Sequence, residues 1–595
     1  MAHGAGPLLT VDAAADGADT GRSRLAALER WVPGVGVARS YQSSWLRSDL
    51  VAGLVLAAIL VPQGMAYADL AGLPPVTGLY TTVACLVGYA LFGPSRVLVL
   101  GPDSSISPLI FAAITPLVVS GHDPARAIAL AGMLAILVGV IEVGMGAGKL
   151  GFVADLLSSE VQVGYMNGLA ITIVVSQLPK LFGFSTDASH FFDEVKQFAT
   201  HLDETSVVTL AVGVGVLVVL LGLPRITKKV PAVLVAVVGA TVVSAVFSLS
   251  THGVSTVGAL PKGLPVPKLP WTKLGDVGPL AIAAIGITLV SLTDTIATSS
   301  AFAARRGDEV RPDQEMIGIG AANIAAGFFQ GFAISTSGSR TAVAEQSGAK
   351  SQLTGVVGAA LVVVLLVFLN SLLADLPQTA LAAVVIAAAL SLADIGVLRR
   401  YAKVRPSAVV LSLVATLGVV FFGVLQGILV AIILAVLLFF RRSWWPYGTV
   451  LGQVDGVTGW HSVDQRPEAS ERSDIVVYRW EAPLFFANAG EFRRQVRRLA
   501  HEREPSWIVL QCEAITDVDV TAAEMLEKLD TELNHEGTHL AFVELRDRLQ
   551  KLLLDYGLLE VLDRTHFYLS VDEAIEAIVE TAPDEPTEED DLDDD

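Results

Sequence analysis

VLVLGPDSSISPL, residues 97–109, interrupts an apolar span with Gly101, Pro102, Asp103, three serines and Pro108. In hydrocarbon each unpaired backbone N–H or C=O costs several kcal/mol, so a broken helix is tolerated only where it is buried in protein or lines a wet cavity. The stretch therefore predicts half of a ligand site rather than a lipid-facing helix. FAISTSGSRTAV at 332–343 has the same character and predicts the other half. In each, a short extended piece leads into a helix start, with Ser104 and Ser337 or Ser339 as natural N-caps.

The chain of 595 residues has a mean hydropathy of +0.58 with 17% charged residues, which predicts a polytopic membrane protein carrying a soluble appendage. Apolar runs of helix-spanning length recur from about 49 to 441, and amphipathic globular sequence follows. The net charge of -20 excludes nucleic acid as a partner. Nine of the last thirteen residues are Asp or Glu, so 582–595 reads as a solvated acidic tail. Cys85 and Cys512 are the only cysteines, which excludes a disulfide framework and a Cys/His metal cluster, and places the soluble part in a reducing compartment. The first twenty residues lack the basic start and apolar core of a signal peptide and read as a cytoplasmic leader.

Arg22, Arg24, Arg30, Arg39 and Arg47 precede the first span and put the N-terminus inside. Spans are expected at 49–68, 76–93, 97–120, 125–147, 153–184 (one or two bent segments), 206–222 and 230–249. Basic and acidic loops alternate: Arg225, Lys228 and Lys229 inside, Asp187, Asp193, Glu194, Asp203 and Glu204 outside. The Pro-rich segment 261–270 divides the membrane part, and a second set of spans runs from 278 to 440. Arg305, Arg306, Arg311, Arg399, Arg400, Lys403, Arg405, Arg441 and Arg442 mark its inside loops, so both termini are cytoplasmic. Lys262, Lys268 and Lys273 depart from the pattern, falling in a loop that parity places outside. Two halves with an interrupted third segment each are the pointer to an inverted repeat. The expected organisation is a cytoplasmic N-terminal region (1–48), a transport domain (49–442), a linker (443–472), an α/β domain (473–581) and the tail. In the α/β domain, strands are expected at 475–480, 484–487, 507–511 and 541–545, with helices at 488–502, 520–533, 546–556 and 571–580.

A helix N-terminus offers unpaired N–H groups and about half a positive charge, so two facing half-helices form an anion site made of backbone. Arg340 adds a fixed positive charge at one start. Asp103 and Asp294 oppose an anion unless a proton or Na⁺ neutralises them, and a mid-span acid, which costs about 3 kcal/mol, marks a functional residue. Asp294 is expected to hold the coupling cation, with Thr298 one turn on along the same face. Gln63 and Tyr67, also one turn apart, are expected to line the cavity mouth.

LVPQGMAYADLAGLPPVTGLY, GPDSSISPL and FFQGFAISTSGSRTAVAEQSGAKSQLTG resemble the sulfate permease (SulP) family of anion transporters over 49–581, and ITDVDVTAAEML resembles the loop and helix start of the STAS domain that ends these proteins. The resemblance implies a polytopic all-α membrane domain of fourteen segments, a seven-plus-seven inverted repeat with core and gate subdomains, working as a homodimer by elevator motion, plus a small cytoplasmic α/β STAS domain. It places the anion between Asp103, Ser104 and Ser105 on one side and Ser337, Gly338, Ser339 and Arg340 on the other, with Gln63 and Tyr67 beside it. Relatives that carry bicarbonate hold Na⁺ at positions matching Asp294 and Thr298. Two departures stand out: Asp103 where a neutral residue is usual, and Ala522 after Thr521, the position matching a phosphorylatable Ser.

The expectation is a secondary active anion transporter of the inner (plasma) membrane, taking up sulfate with H⁺ or Na⁺ and needing no other cofactor. Alternatives are a Na⁺-dependent bicarbonate or dicarboxylate transporter, an anion channel, or a sensor whose STAS domain recruits cytoplasmic proteins. An enzyme is excluded by the scattered histidines and the lack of a nucleophile elbow, and an ATPase by the lack of a phosphate-binding loop motif.

Overall fold

The computed structural model describes residues 32–118, 123–152, 158–186, 191–227, 230–307, 309–558, 562 and 564–581. The leader and the acidic tail lie outside these residues. The chain divides into two compact units between Ala435 and Val436.

The first unit contains α1 (Leu46–Leu70), α2 (Pro75–Phe92), α3 (Ser107–Ile114), α4 (Pro124–Ala147), α5 (Ser159–Phe182), α6 (Val207–Ile226) and α7 (Ala232–Val246). After the Pro-rich segment come α8 (Leu274–Arg306), α9 (Pro312–Phe328), α10 (Gly338–Gln346), α11 (Leu353–Phe368), α12 (Gln378–Leu392), α13 (Pro406–Phe422) and α14 (Val424–Trp444). Prolines at the first helical position start α2, α4, α9 and α13, where their missing N–H has no intrahelical partner to lose. Left-handed Gly183 and Gly307 end α5 and α8. The expected third span at 97–120 is instead an extended piece followed by α3. At eight residues, α3 is about 12 Å long, less than half of a bilayer core. Its counterpart α10 has nine residues.

The packing repeats between the halves. Exchanging the first seven helices for the last seven turns the pair α4–α9 into α11–α2, α5–α13 into α12–α6, α1–α11 into α8–α4, and α1–α10 into α8–α3, and all eight pairs are in contact. The contacts also sort the helices into a core of α1–α4 with α8–α11 and a gate containing α5–α7, α12 and α13.

Glycines set the closest approach in the core. Gly132, Gly139 and Gly146 recur every seventh residue on α4 and face Gly327, Gly320 and Asp313 of the antiparallel α9. A Cβ on Gly139 would lie 2.5 Å from Gly320 O, and one on Gly320 would lie 2.7 Å from Gly139 O. In a bilayer, where burial of apolar surface supplies no drive between helices, small residues gain stability by letting backbones touch.

The second unit is a six-stranded sheet in the order β4-β3-β5-β6-β7-β8, made of β3 (Gly448–Val454), β4 (Val457–Ser462), β5 (Ile475–Trp480), β6 (Trp507–Gln511), β7 (His539–Val543) and β8 (Phe567–Tyr568). Strands β5 to β8 are parallel, and β3 pairs antiparallel with β4 and β5. Side chains alternate between faces. Val476, Tyr478 and Trp480 pack under α15 (Ala489–Arg503), α16 (Val520–His535) and α17 (Asp547–Asp555), whereas Ile475 and Val477 meet α18 (Val571–Thr581).

Residues 443–472 are therefore not a linker. Asp455-Gly456, with Gly456 at φ +75°, makes the turn of the β3–β4 hairpin, and β3 completes the edge of β5 that the parallel strands leave open. The strand expected at 484–487 is a single bridge, Leu484 to Val518, followed by a turn.

Gly139→Ala is expected to push α4 off Gly320 O and to cost about 1–3 kcal/mol, read as a fall in the thermal midpoint of the purified protein. An unchanged midpoint would show that the backbones can part freely.

Candidate functional site

The two interrupted segments meet as strands. β1 (Leu100–Gly101) pairs antiparallel with β2 (Ser335–Thr336), Leu100 opposite Thr336 and Gly101 opposite Ser335. Ser337 N donates to Val99 O at 3.1 Å, and Val99 N donates to Thr341 Oγ1 at 3.1 Å. Each half thus supplies the backbone partners that the other half's broken helix lacks. From this crossing the chain enters α3 on one side and α10 on the other, so both helices present their N-terminal ends at the same place.

Ser337 caps α10, its Oγ accepting from Arg340 N at 3.4 Å. Ser104 does not cap α3. Ile106 holds the N-cap position without a side-chain bond, and the Ser107 hydroxyl instead donates to Asp103 O at 2.7 Å. Ser104 is left facing Tyr67.

A cavity of about 780 Å³ opens against these helix starts. Gln63, Tyr67, Asp103, Ser104, Ser105, Asp294, Thr298, Ser337, Gly338 and Ser339 all line it, so the tertiary structure gathers these residues from α1, the turn before α3, α8 and the start of α10. The opposite wall is gate: Gln162 and Met166 of α5, Pro224 of α6, Ala232 of α7 and Ser391 of α12. Pro224 stands beside Arg225 at the end of α6, and Ser391 lies at the end of α12 just before the helix Ile395–Val404 that carries Arg399 and Arg400, so the cavity reaches the basic side of the bundle. Gln63 Oε1 is buried without a hydrogen-bond partner. Asp294 and Thr298 stand one turn apart on the cavity face of α8, and Thr298 Oγ1 lies 3.9 Å from where a Cβ on Gly338 would be.

Arg340 alone of the expected set does not line the cavity. It is 1% exposed and lies behind β1. Its Nη1 donates to Pro102 O at 2.6 Å and its Nη2 is 3.7 Å from Asp103 Oδ2, while Nε and Nη2 have no hydrogen-bond partner. Gly101 leaves the room: a Cβ there would sit 3.4 Å from Nη2. Arg340 is thus the counter-ion of Asp103 rather than a free charge at the helix start. The Ser105 hydroxyl is 2.8 Å from Asp103 Oδ1 and 2.9 Å from Asp294 Oδ2, and Ser105 N donates to Asp103 Oδ1 at 3.0 Å.

Five further polar residues escape a reading by motif. Glu142 is fully buried against Asn323 and Ser291 behind the crossing, and Asp69 at the end of α1 pairs with Lys180 of α5 at 2.6 Å. An acid in the middle of α4 is the signal that could have found the first of these. In the second unit Thr521 is exposed in the first turn of α16, which Asp519 caps by accepting from Ala522 N at 2.8 Å.

Arg340→Met is expected to leave Asp103 as an uncompensated buried charge and to cost about 3–5 kcal/mol. Asp103→Asn in the same chain should return part of the lost thermal stability, a coupling read by a double-mutant cycle. Additive effects would show that the two groups do not interact.

Residues 46–415 match the Sulfate permease family and residues 466–574 the STAS domain. The chain is 41% identical over 550 residues to the Mycobacterium tuberculosis protein named "Probable sulfate transporter Rv1739c", covering 92% of this chain and 98% of that one. Two solved structures share its fold. The murine Solute Carrier 26 family member A9 anion transporter in the inward-facing state superposes with a TM-score of 0.83 at 23% identity, over 96% of this chain and 100% of that one. The transmembrane domain of a cyanobacterium bicarbonate transporter, BicA, superposes with a TM-score of 0.59 at 23% identity, over 67% of this chain and 98% of that one. A crossing of two half-helices in a bundle of two matching halves, together with a match over most of the membrane part, places this chain in the sulfate permease family.

Proposed function

We propose that the protein is a secondary active transporter that takes up sulfate together with protons. The observation that carries the proton is the position of Ser105. Its hydroxyl has one hydrogen and lies between two carboxyl groups, so it donates well to only one of them. Asp103 already accepts from Ser105 N and faces Arg340, which makes it the ionised acid. The other contact is then made by an Asp294 O–H donating to Ser105 Oγ. With Asp103 offset by Arg340 and Asp294 neutral, two helix N-termini leave a net charge of roughly +1, which suits a dianion. An ionised Asp294 would reverse this, so the proton and the anion favour each other's binding. Na⁺ at Asp294 and Thr298 would neutralise the same acid, and one arm of the experiment below addresses it.

The sides of the bundle follow from charge. The basic end of α6 and the basic helix Ile395–Val404 after α12 face the cytoplasm of a plasma membrane, both termini lie there, and the cavity is open inward. The core moves against the gate in an elevator stroke within a homodimer, and the STAS domain, with Thr521 as a candidate phosphorylation site, offers a surface to cytoplasmic proteins.

Uptake of labelled sulfate and bicarbonate into proteoliposomes, with pH and Na⁺ gradients imposed separately, tests this. Sulfate should accumulate under an inward proton gradient and lose its accumulation with a protonophore. Asp294→Asn should lower that accumulation at least about tenfold, the equivalent of ~1.4 kcal/mol. Failure to move any small anion would sink the transport reading, and accumulation driven only by Na⁺ would move the coupling ion.

The pair Asp69–Lys180 joins core to gate at the end of the bundle away from the cavity mouth, so the stroke must break it. The side chains are 28% and 32% exposed, which limits the pair to about 0.2–1 kcal/mol. Lys180→Ala should therefore raise the outward-facing population by up to about fivefold, measured as a spin-label distance between α1 and α5. An unchanged distribution would show that the pair does not latch the inward state.

A further inference from the structure

We propose that Glu142 is a second proton-binding site, set behind the anion site and read out through the strand that carries it. The proposal rests on the transport reading above but uses different atoms.

Glu142 of α4 is 0% exposed. The groups that face it are Asn323 from α9 and Ser291 from α8, and among the described residues no Lys, Arg or His pairs with it. The nearest acid along α8 is Asp294, one turn from Ser291 and itself on the cavity wall. A carboxylate stripped of water without a cation costs several kcal/mol, whereas a carboxylic acid there does not. Glu142 is held as the acid.

Its partners close a ring around the backbone N–H and C=O of one residue. Asn323 Nδ2 donates to Glu142 Oε2 at 2.8 Å, and Asn323 Oδ1 accepts from Ile334 N at 2.8 Å. The Ser291 hydroxyl donates to Ile334 O at 3.3 Å. Glu142 Oε1 is buried with no hydrogen-bond partner, and Ser291 is the second side chain that acts on this carboxyl group. Ile334 is the residue before β2, and Ser337, the cap of α10, follows three residues later.

The ring has a direction that depends on the proton. While Glu142 carries it, the acid O–H points toward Ser291 Oγ, and the one Ser291 hydrogen stays on Ile334 O. When the proton leaves, the carboxylate becomes the stronger acceptor, Ser291 turns to donate to it, and Ile334 O loses its partner. Deprotonation thus loosens the strand that places Ser337 and α10 at the anion. Ser291 of α8 faces Glu142 of α4 and stands one turn before Asp294, so one turn of α8 separates the Glu142 ring from the cavity wall.

The test uses the full-length protein. In infrared difference spectra of the purified wild type, the carboxylic-acid C=O band should change both on pH titration and on adding sulfate. One component of that change should be missing in Glu142→Gln and retained in Asp294→Asn. In proteoliposomes Glu142→Gln, which keeps the shape but holds no exchangeable acid, should still take up sulfate. Its rate should depend on pH less steeply than that of the wild type across about pH 5–8, the remainder belonging to Asp294, and fewer protons should enter per sulfate. A wild-type pH profile in Glu142→Gln, or an infrared band that neither pH nor sulfate moves, would overturn the proposal. The infrared titration needs no transport, so absence of uptake would sink the transport reading and leave the proton site to be judged by the band.

Discussion

Four residues of backbone pairing, Leu100 and Gly101 against Thr336 and Ser335, hold this fold together at its centre. A helix interrupted inside a membrane has peptide groups with no water to satisfy them. Here each interrupted segment is completed by the other, so the two halves of the transport domain form one interlocked structure. The same pairing aims two helix N-termini at one spot. The stabilising interaction and the functional geometry are the same set of hydrogen bonds.

Charge at that spot is balanced by placement rather than by composition. Arg340 lies underneath the crossing, where its guanidinium bonds Pro102 O and offsets Asp103, and the helix ends face the cavity in its place. An anion taken up there, as proposed, would meet serine hydroxyls and N–H groups and be held by dipoles. Binding by dipoles favours release, because no full opposite charge has to be separated from the ligand when it leaves. Under the proposed proton coupling, one proton on Asp294 would decide whether the site is net positive.

The core around the site is packed by its small residues. The seven-residue glycine repeat on α4 meets its counterpart on α9 so closely that Glu142 and Asn323 share a dry interior with the peptide of Ile334. Close backbone packing makes that interior stiff, so a change in one hydrogen bond there is passed to β2 rather than absorbed by rearrangement. The gate, by contrast, meets the cavity mainly with apolar side chains such as Met166, Leu220 and Val384.

Much of this was legible in the chain alone. Helix-length apolar runs, alternating loop charge and two Gly/Ser interruptions determined a membrane bundle of two related halves with a site at the breaks, because hydrocarbon permits few other uses of such sequence. The residues of that site were readable for the same reason: a polar group in an apolar span has to be accounted for. What only the tertiary structure decided is which charges face each other. Arg340 and Asp103 lie more than two hundred positions apart, and no periodicity in either segment shows that one neutralises the other beneath the strands. The β3–β4 hairpin had a local signal in Asp455-Gly456, but its place in the sheet depended on the free edge of β5. Glu142 has a sequence signal as an acid in an apolar helix, but its surroundings were decided by α8, α9 and the Ile334 backbone, since the chemistry of a buried acid is set by its neighbours in space.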